Sequence, residues 1–334
     1  MKHHIHHIHI FILSGVLIAI LILILANNIL DRIFINKQTT FGVSFTPRYA
    51  NELGLDPKQI YISILENLGA RHIRLAAYWD EIEPTEDNFD FTELDYYINK
   101  AKQYNARIIL AIGYKLPRWP ECRAPNWIDS ENLTFLREKQ LKMLKNVISR
   151  YENNPNVSFW QLENEPLLEF GVCPKPDREF LEKEVHFVRT LTRKPVMITD
   201  SGELRLWHTP MVLSDIFGTT LYRVVDTKLL GPFQYPLKPY FYRVKSDLTR
   251  KFFAKNNQKT IISELQAEGW AMKPLTKVPI EEQTERFSID LFKQTVDFAK
   301  KTGFDEIYLW GAEWWFYLAK NNHPEYLKFA QTLF

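Results

Sequence analysis

The sequence predicts an α/β fold, a (β/α)8 barrel preceded by one N-terminal transmembrane helix. From residue 39 onward, short β-rich apolar runs alternate with longer amphipathic stretches, a pattern typical of parallel strands joined by helices. No Pro- or Ser-rich linker divides these roughly 295 residues, and single barrels reach that size. The Gly-rich first turn of a doubly wound sheet is missing. These observations favour one TIM-barrel domain over residues 39–334.

The N-terminal segment of residues 1–38 contains a run of 17 residues without a charge, IFILSGVLIAILILILA, at positions 10–26. As a helix this run would be about 26 Å long, which is just enough to span a bilayer with a small adjustment. We therefore predict an uncleaved signal anchor followed by an extracytoplasmic domain, whereas cleavage after Ala26 would give a secreted protein. Five of the nine histidines precede the run, and we interpret them as its interfacial flank rather than as a metal site.

Eight candidate strands follow, and the helices between them carry their own start and stop signals. Asp56 is a suitable N-cap with Pro57 at the first helical position, and Gly69 ends that helix. Thr92 and Asp95 open the next helix with a spacing like that of a capping box. Further outer helices are predicted over residues 132–151, 177–192 and 281–301. The strands are predicted over residues 41–44, 72–76, 107–113, 157–163, 196–199, 216–222, 260–264 and 306–311.

The composition excludes several classes of function. With 42 basic and 40 acidic residues, the formal charge of +2 offers no basic excess for nucleic acid. The histidines of the barrel are scattered and no CxxC pair occurs, so we expect no cofactor and no metal. We expect a monomeric catalytic domain. Aromatic residues make up 14% of the chain, and such residues either fill a core or line a carbohydrate cleft.

Two acidic residues lie where a barrel carries its catalytic groups, at the C-terminal ends of strands. Glu165 follows the fourth strand in WQLENEP, where Pro166 is expected to stop the strand, and Glu264 ends the seventh strand in TIISELQ. These strands lie on opposite sides of an eight-membered ring, so the two side chains can meet across the pocket. Retaining glycoside hydrolysis requires two carboxyl groups about 5 Å apart. The alternative is that each carboxylate forms a structural ion pair, and periodicity alone does not decide between them.

Several longer sequence motifs resemble those of a known protein family. The second and third βα units contain WDEIEP from Trp79 and NFD from Asn88, and the fourth strand is followed by Asn164–Glu165–Pro166. With Glu264, these motifs make residues 40–320 similar to clan A of the glycoside hydrolases, retaining (β/α)8 barrels with catalytic glutamates on strands four and seven. The run GYKLPRWPEC after the third strand resembles the β-galactosidase-like and β-xylosidase-like branches more than the cellulase branch. No subfamily is assigned.

The resemblance implies a role for each matching residue. Glu165 would be the general acid/base and Glu264 the nucleophile, while Glu268 is a second candidate nucleophile and Glu163 is interpreted as structural. The residues implied to bind substrate or to orient the catalytic groups are Arg74, Asn164, Tyr222, Trp310 and Trp119.

Each of these substrate-site residues also has a structural interpretation. Arg74 could form an ion pair that serves the fold alone, and Tyr222 could be a core aromatic. Trp314 and Trp315 compete with Trp310 as the stacking residue under the sugar. Trp119 and its neighbour Trp127 could be sugar platforms or could pack their own loop.

The expected function is therefore retaining hydrolysis of a β-linked poly- or oligosaccharide through a glycosyl-enzyme intermediate. The alternative is a carbohydrate-binding barrel at the cell surface that has lost catalysis. Cys122 and Cys173 follow the third and fourth strands, whose loops are neighbours, so we expect a disulfide if the domain lies outside the cytoplasm.

Overall fold

Eight parallel strands close into a barrel, as the sequence predicts. A computed structural model of the chain describes residues 38–227, 231–254, 257–271 and 273–334. The strands occur in the order β1-β8-β7-β6-β5-β4-β3-β2 around the ring, so neighbours in sequence are neighbours in space. The strands are β1 Thr40–Ser44, β2 His72–Ala76, β3 Arg107–Ile112, β4 Val157–Leu162, β5 Val196–Asp200, β6 Ile216–Leu221, β7 Lys259–Gln266 and β8 Glu306–Trp310.

Helices surround the barrel, and one predicted helix is wrong. The stretch 281–301 forms two helices because the first ends at Arg286 and the Ser288 hydroxyl caps the next by accepting from the Leu291 amide over 3.2 Å. The helices are α1 Pro47–Glu52, α2 Pro57–Glu66, α3 Trp79–Ile82, α4 Thr92–Gln103, α5 Leu133–Tyr151, α6 Arg178–Leu191, α7 His208–Leu213, α8 Pro239–Phe253, α9 Ile280–Arg286, α10 Ile289–Lys300, α11 Ala312–Lys320 and α12 Glu325–Gln331.

Of the two predicted N-terminal helix caps, one is confirmed and one is wrong. Asp56 caps α2 as predicted, since its side chain accepts from the amides of Lys58 and Gln59. The capping box at Thr92 is wrong, because Phe91 occupies the N-cap position and makes no side-chain cap bond.

The fourth strand ends earlier than predicted. It stops at Leu162, one residue before its predicted end, because Glu163 turns the backbone with a φ of 59°. Pro166 therefore lies in the loop and does not terminate the strand.

A two-stranded antiparallel hairpin between β6 and α8 is an element that the sequence pattern did not reveal. Its strands are Val224–Thr227 and Gly231–Gln234. Gln266, at the end of β7, holds the start of the hairpin, because its Oε1 accepts from the amides of Arg223 and Val224 over 2.9 and 3.0 Å. The hairpin is thus tied to the mouth of the barrel.

The barrel interior is filled by its own small apolar cluster below the polar mouth. Ile109, Phe159, Met197, Ile261 and Tyr308 pack together there, and each is at most 9% exposed. The larger core lies between the sheet and the surrounding helices. Side chains that fill the lower barrel support the polar layer above them.

The N-terminal end of the ring carries a buried carboxylate, Glu306. Its Oε1 lies 3.4 Å from His72 Nδ1, and it also accepts from Lys259 and from the Tyr308 hydroxyl. Burial alone would raise the pKa of Glu306, but hydrogen bonds to His72, Lys259 and Tyr308 outweigh it and lower the pKa to about 2.

The predicted anchor and the histidine-rich flank fall within residues 1–37, which lie outside the described residues. Within the described ranges, no helix combines the length and the apolar character needed to cross a bilayer.

Candidate active site

Glu264 lies on β7 at the C-terminal mouth of the barrel, and partners from two other strands bind both of its carboxylate oxygens. Arg74 on β2 donates from Nη1 to Oε1 over 2.7 Å. Tyr222, directly after β6, donates its hydroxyl to Oε2 over 3.0 Å. Glu264 is 4% exposed and Arg74 2%. The structure therefore brings Arg74 and Tyr222, two residues implied to orient the catalytic groups, into contact with Glu264, the predicted nucleophile.

Arg74 is the hub of this polar layer. Its Nε donates to Gln161 Oε1 over 2.7 Å, and its Nη2 donates to Asn164 Oδ1 over 2.9 Å. A guanidinium is a rigid, planar fork of donors, so its partners are held at defined positions relative to one another. Arg74 thus aligns Asn164 with Glu264.

Glu165 lies across the mouth from Glu264 and is 7% exposed. Its amide donates to Thr199 Oγ1 over 2.9 Å, and Thr220 donates its hydroxyl to Glu165 Oε1 over 3.1 Å. Burial and the negative charges of Glu264 and Glu121 raise the pKa of the Glu165 carboxyl well above its ordinary value. A carboxyl whose protonated form is favoured in this way can serve as a general acid.

The turn after β4 is built around Glu163, which supports the loop after β3. Glu163 Oε1 accepts from the Tyr114 amide over 2.7 Å, and Oε2 accepts from the Lys115 amide over 2.6 Å. At Gly113, whose φ is 131°, a Cβ atom would lie 2.2 Å from Glu163 Oε1. Glu163 and Glu165 both adopt left-handed φ angles, 59° and 45°. Two such non-glycine residues close together indicate a functional constraint on this turn.

The loop after β3 brings a third carboxyl group to the site. Lys115 donates from Nζ to the carbonyl oxygens of Glu165 and Leu168 over 3.0 and 2.7 Å, and it lies 3.3 Å from Glu121 Oε2. Glu121 Oε1 accepts from Asn164 Nδ2 over 3.3 Å. Burial raises the pKa of Glu121 to about 7, with a smaller contribution from Glu264, although Lys115 opposes the shift.

A disulfide joins the loops that border the site. Cys122 is bridged to Cys173, which confirms the predicted pairing. The bridge lies directly after Glu121 in sequence and connects the loop after β3 to the loop after β4.

The two tryptophans predicted to bind sugar lie in different surroundings. Trp119 is 59% exposed on the loop after β3. Trp310 is 7% exposed, and the guanidinium of Arg118 lies over its ring at 4.3 Å from the centroid. The same guanidinium lies 3.6 Å from the Tyr49 ring centroid and donates to Glu268 Oε1 over 3.0 Å. Glu268, the second candidate nucleophile, is therefore engaged by Arg118.

The remaining candidate tryptophans pack the fold. Trp127 donates from Nε1 to the Glu83 carbonyl over 3.0 Å, which fixes its own loop. Trp314 and Trp315 are fully buried, and they donate to the Gln283 side chain and the Ala267 carbonyl over 2.6 and 2.7 Å.

Several residues of this layer were not identified from the sequence. Two signals could have found part of the set, since polar residues lie just before the ends of two strands, Gln161 in β4 and Thr219–Thr220 in β6. The loop residues carried no such periodic signal. The missed residues are Lys115, Arg118, Glu121, Gln161, Thr199 and Thr220.

Over part of its length, this chain is similar in sequence to known proteins. A family model described as β-galactosidase matches residues 58–194, which include β2, β3, β4 and Glu165. A curated relative, β-galactosidase BgaA of Clostridium cellulovorans, is 22% identical over 165 residues, which are 43% of this chain and 25% of that protein.

Solved structures share the fold at low sequence identity. The β-galactosidase of the haloarchaeon Halorubrum lacusprofundi superposes with a TM-score of 0.56 at 14% identity, covering 81% of this chain and 52% of that one. A GH5_18 protein from Streptomyces cattleya, in complex with GlcNAc, gives a TM-score of 0.57 at 13% identity, covering 82% and 70%. This chain thus spans about a quarter of the curated relative and about half of the haloarchaeal enzyme. The family-model match and the closed barrel confirm that the chain resembles the clan A glycoside hydrolases, as its sequence motifs indicate.

Proposed function

We propose that this chain is a retaining glycoside hydrolase that cleaves β-linked sugars through a glycosyl-enzyme intermediate. The observation that carries the proposal is the contrast between two buried carboxyl groups at the ends of β4 and β7. Glu264 is bonded to the Arg74 cation over 2.7 Å, whereas burial and nearby negative charge favour the protonated form of Glu165. Carboxyl groups in such opposed environments are suited to a nucleophile and a general acid.

The residues of the site then act in two steps. In the first, a Glu264 oxygen attacks the anomeric carbon while Glu165 gives its proton to the departing glycosidic oxygen. In the second, Glu165 takes a proton from water, and that water attacks the anomeric carbon and releases Glu264. Arg74 and Tyr222 hold the Glu264 carboxylate in place, as their bonds of 2.7 and 3.0 Å allow.

The substrate class is proposed from the relatives. The family model and two of the compared proteins are β-galactosidases by name, so β-galactosides are the first substrates to test. The GH5_18 protein was solved with GlcNAc and, as a variant, with Manβ1-4GlcNAc, so β-linked N-acetylglucosamine and β-mannoside substrates belong in the same panel. We also propose that the domain acts outside the cytoplasm, which the Cys122–Cys173 bridge supports.

The test is nucleophile rescue in two alanine variants of the whole chain. Glu165→Ala should lower turnover of substrates with poor leaving groups about 10²–10⁴-fold and should spare a dinitrophenyl glycoside in the first step. Azide should restore product formation in both variants. It should give a glycosyl azide of retained configuration with Glu165→Ala and of inverted configuration with Glu264→Ala.

The matched control is Glu131→Gln, which alters an exposed carboxylate in the connection between β3 and α5 and should leave activity unchanged. Full activity of Glu264→Ala, or products of inverted configuration from the unaltered enzyme, would contradict the proposal. Proton NMR of the first-formed product reads the configuration directly.

A further inference from the structure

Two neighbouring helices, α7 and α8, expose a cluster of apolar side chains. Leu248, Phe252 and Phe253 on α8 are 51%, 66% and 57% exposed, and Val212 on α7 is 46% exposed. The Phe253 ring centroid lies 6.4 Å from that of Phe252 and 4.8 Å from that of His208, which lies one turn before Val212, so the two helices share one surface. Single exposed apolar residues are ordinary, but a group of them marks a contact surface. We call these five residues the α7–α8 patch.

The helix that carries most of the patch is positively charged. It holds four basic residues and one acidic residue, which are Arg243, Lys245, Arg250, Lys251 and Asp247. Asp247 contacts both Arg243 and Arg250, so the helix keeps a net positive charge. Lys251 is exposed, and its Nζ lies 5.8 Å from the centroid of the Phe252 ring. Exposed aromatic and basic side chains next to each other are typical of helices that bind anionic lipid surfaces.

The C-terminal end of α8 lies at the end of the barrel opposite the catalytic mouth. Phe253 precedes Lys259, the first residue of β7, by six positions, and strands of this barrel begin at the end away from Glu165 and Glu264. Lys259 forms an ion pair with Glu306, the first residue of β8. Glu306 is in turn in register with Thr40, the first residue of β1. The patch and the entry of the chain into the barrel are therefore at the same end.

The sequence that enters the barrel at this end contains the predicted membrane anchor. Eleven residues, 27–37, separate the apolar run of residues 10–26 from the start of the described chain. Eleven residues span at most about 40 Å when fully extended. A barrel attached to a bilayer through this segment would therefore keep the end that carries the patch close to the lipid, and its catalytic mouth would open away from the lipid.

We propose that the α7–α8 patch binds the surface of an anionic bilayer. The rings of Phe252 and Phe253 enter the boundary between headgroups and acyl chains, and Lys251 contacts lipid phosphates. A second copy of the chain fits this surface less well, because a symmetric contact through α8 brings two positively charged helices together. The proposal does not depend on the proposed function, since the patch lies away from the carboxyl groups of the mouth.

The test places a fluorescent dye in the patch. The two cysteines of the chain are bridged to each other, so an introduced cysteine is the one free thiol available to the dye. Leu248→Cys places the dye in the patch, and Glu131→Cys places it in the exposed connection between β3 and α5 at the catalytic end. Each labelled whole chain is reconstituted with vesicles of phosphatidylcholine and phosphatidylserine that carry a nitroxide quencher on the lipid headgroup.

The dye at Leu248→Cys should be quenched strongly and the dye at Glu131→Cys weakly. Adding Phe252→Ser and Phe253→Ser to Leu248→Cys should lower the ratio of bilayer-bound to free patch at least about 10-fold, because two large apolar side chains no longer enter the lipid. Adding Lys251→Glu should lower the ratio about 10-fold, and vesicles of phosphatidylcholine alone should have a similar effect.

The matched control is Lys183→Glu, which makes the same change of charge at an exposed position on α6 and should leave the quenching unchanged. Thermal unfolding of every variant checks that the barrel is folded. If the double serine variant does not fold, Lys251→Glu decides the question, because it alters an exposed side chain alone.

Equal quenching at the two dye positions would overturn the proposal, as would quenching that neither Lys251→Glu nor the serine variant reduces. A dimer cross-linked through unlabelled Leu248→Cys, without quenching of the labelled protein by lipid, would assign the patch to a second copy of the chain and would also overturn it. Hydrolysis of a soluble aryl glycoside is measured separately, and the patch variants should retain it. Failure of the unaltered chain to hydrolyse any glycoside would overturn the proposed function and leave this inference standing.

Discussion

Replacing Arg74 with methionine tests whether the charge balance of the site controls the stability of the fold. Met keeps much of the length and volume of the arginine stem but removes the guanidinium. Arg74→Met leaves Glu264 buried without its cation at 2.7 Å. It also removes the 2.7 Å donor of Gln161 Oε1 and the nearest donor of Asn164 Oδ1, at 2.9 Å.

The expected loss follows from burial. The side chains of Arg74 and Glu264 are 1% and 6% exposed, so solvent cannot replace the lost partner. Removing one member of a buried ion pair costs about 3–5 kcal/mol in free energy of unfolding. At about 2 °C per kcal/mol for a domain of this size, the midpoint of thermal unfolding should fall by about 6–10 °C.

The assay is thermal unfolding of the whole chain, followed by tryptophan fluorescence. The control is Arg178→Met, which removes an equally short ion pair, 2.7 Å from Glu182, whose side chains are 59% and 43% exposed. That change should cost less than about 1 kcal/mol.

A second variant identifies the cause of the loss. If the uncompensated charge of Glu264 is responsible, Arg74→Met combined with Glu264→Gln should be more stable than Arg74→Met alone, because the stranded charge is gone. A double variant that unfolds at or below the midpoint of the single variant would refute this reasoning, since lost packing would then explain the whole effect.

Three further perturbations have outcomes that the structure defines. The basic limb of the kcat/KM–pH profile should report loss of the Glu165 proton. Glu121→Gln should move this limb to lower pH, because one negative charge that raises the pKa of Glu165 is removed. An unmoved limb would mean that the charge of Glu121 does not act on Glu165. Replacing Cys122 and Cys173 with serine removes a cross-link between residues 51 apart and should lower the free energy of unfolding by about 4 kcal/mol, measured by thermal unfolding. A loss of less than about 1 kcal/mol would contradict this prediction. The pKa of Glu306 is lowered to about 2 in the folded protein, so its stabilisation is complete above its ordinary pKa of 4.5 and is lost as the pH falls towards 2. Glu306→Gln should therefore be less stable than the unaltered protein at pH 7, by at most about 3 kcal/mol, and the difference should vanish near pH 2; a difference independent of pH would exclude titration as its cause.

The parts of the fold that follow from local periodicity could be predicted from the sequence. The runs around Arg74, Glu165 and Glu264 are short and β-rich, and strand ends carry the polar residues of a barrel mouth. The disulfide also followed from topology, because neighbouring strands place Cys122 and Cys173 on neighbouring loops.

The loop residues could not be predicted in the same way. Arg118 and Glu121 adopt left-handed backbone angles of 84° and 68°, and neither is the glycine that would mark such a turn in a sequence. Arg118 contacts Trp310, at the end of β8, and Glu121 contacts Asn164, in the loop after β4, and both partners are far from this loop in sequence. The break at Ser288 was missed because the residues on both sides of it are helical, so that only the Ser288 cap marks the boundary.

The guanidinium over Trp310 changes the energetics of binding at that ring. Cation–π contacts contribute about 0.5–2 kcal/mol, so the ring already has a favourable partner 4.3 Å from its centroid in the free protein. A sugar that stacked on this face would exchange one partner for another, and its affinity would reflect only the difference between the two contacts. Discrimination between sugars at this site would then depend mainly on hydroxyl contacts, with the aromatic ring contributing little to the choice.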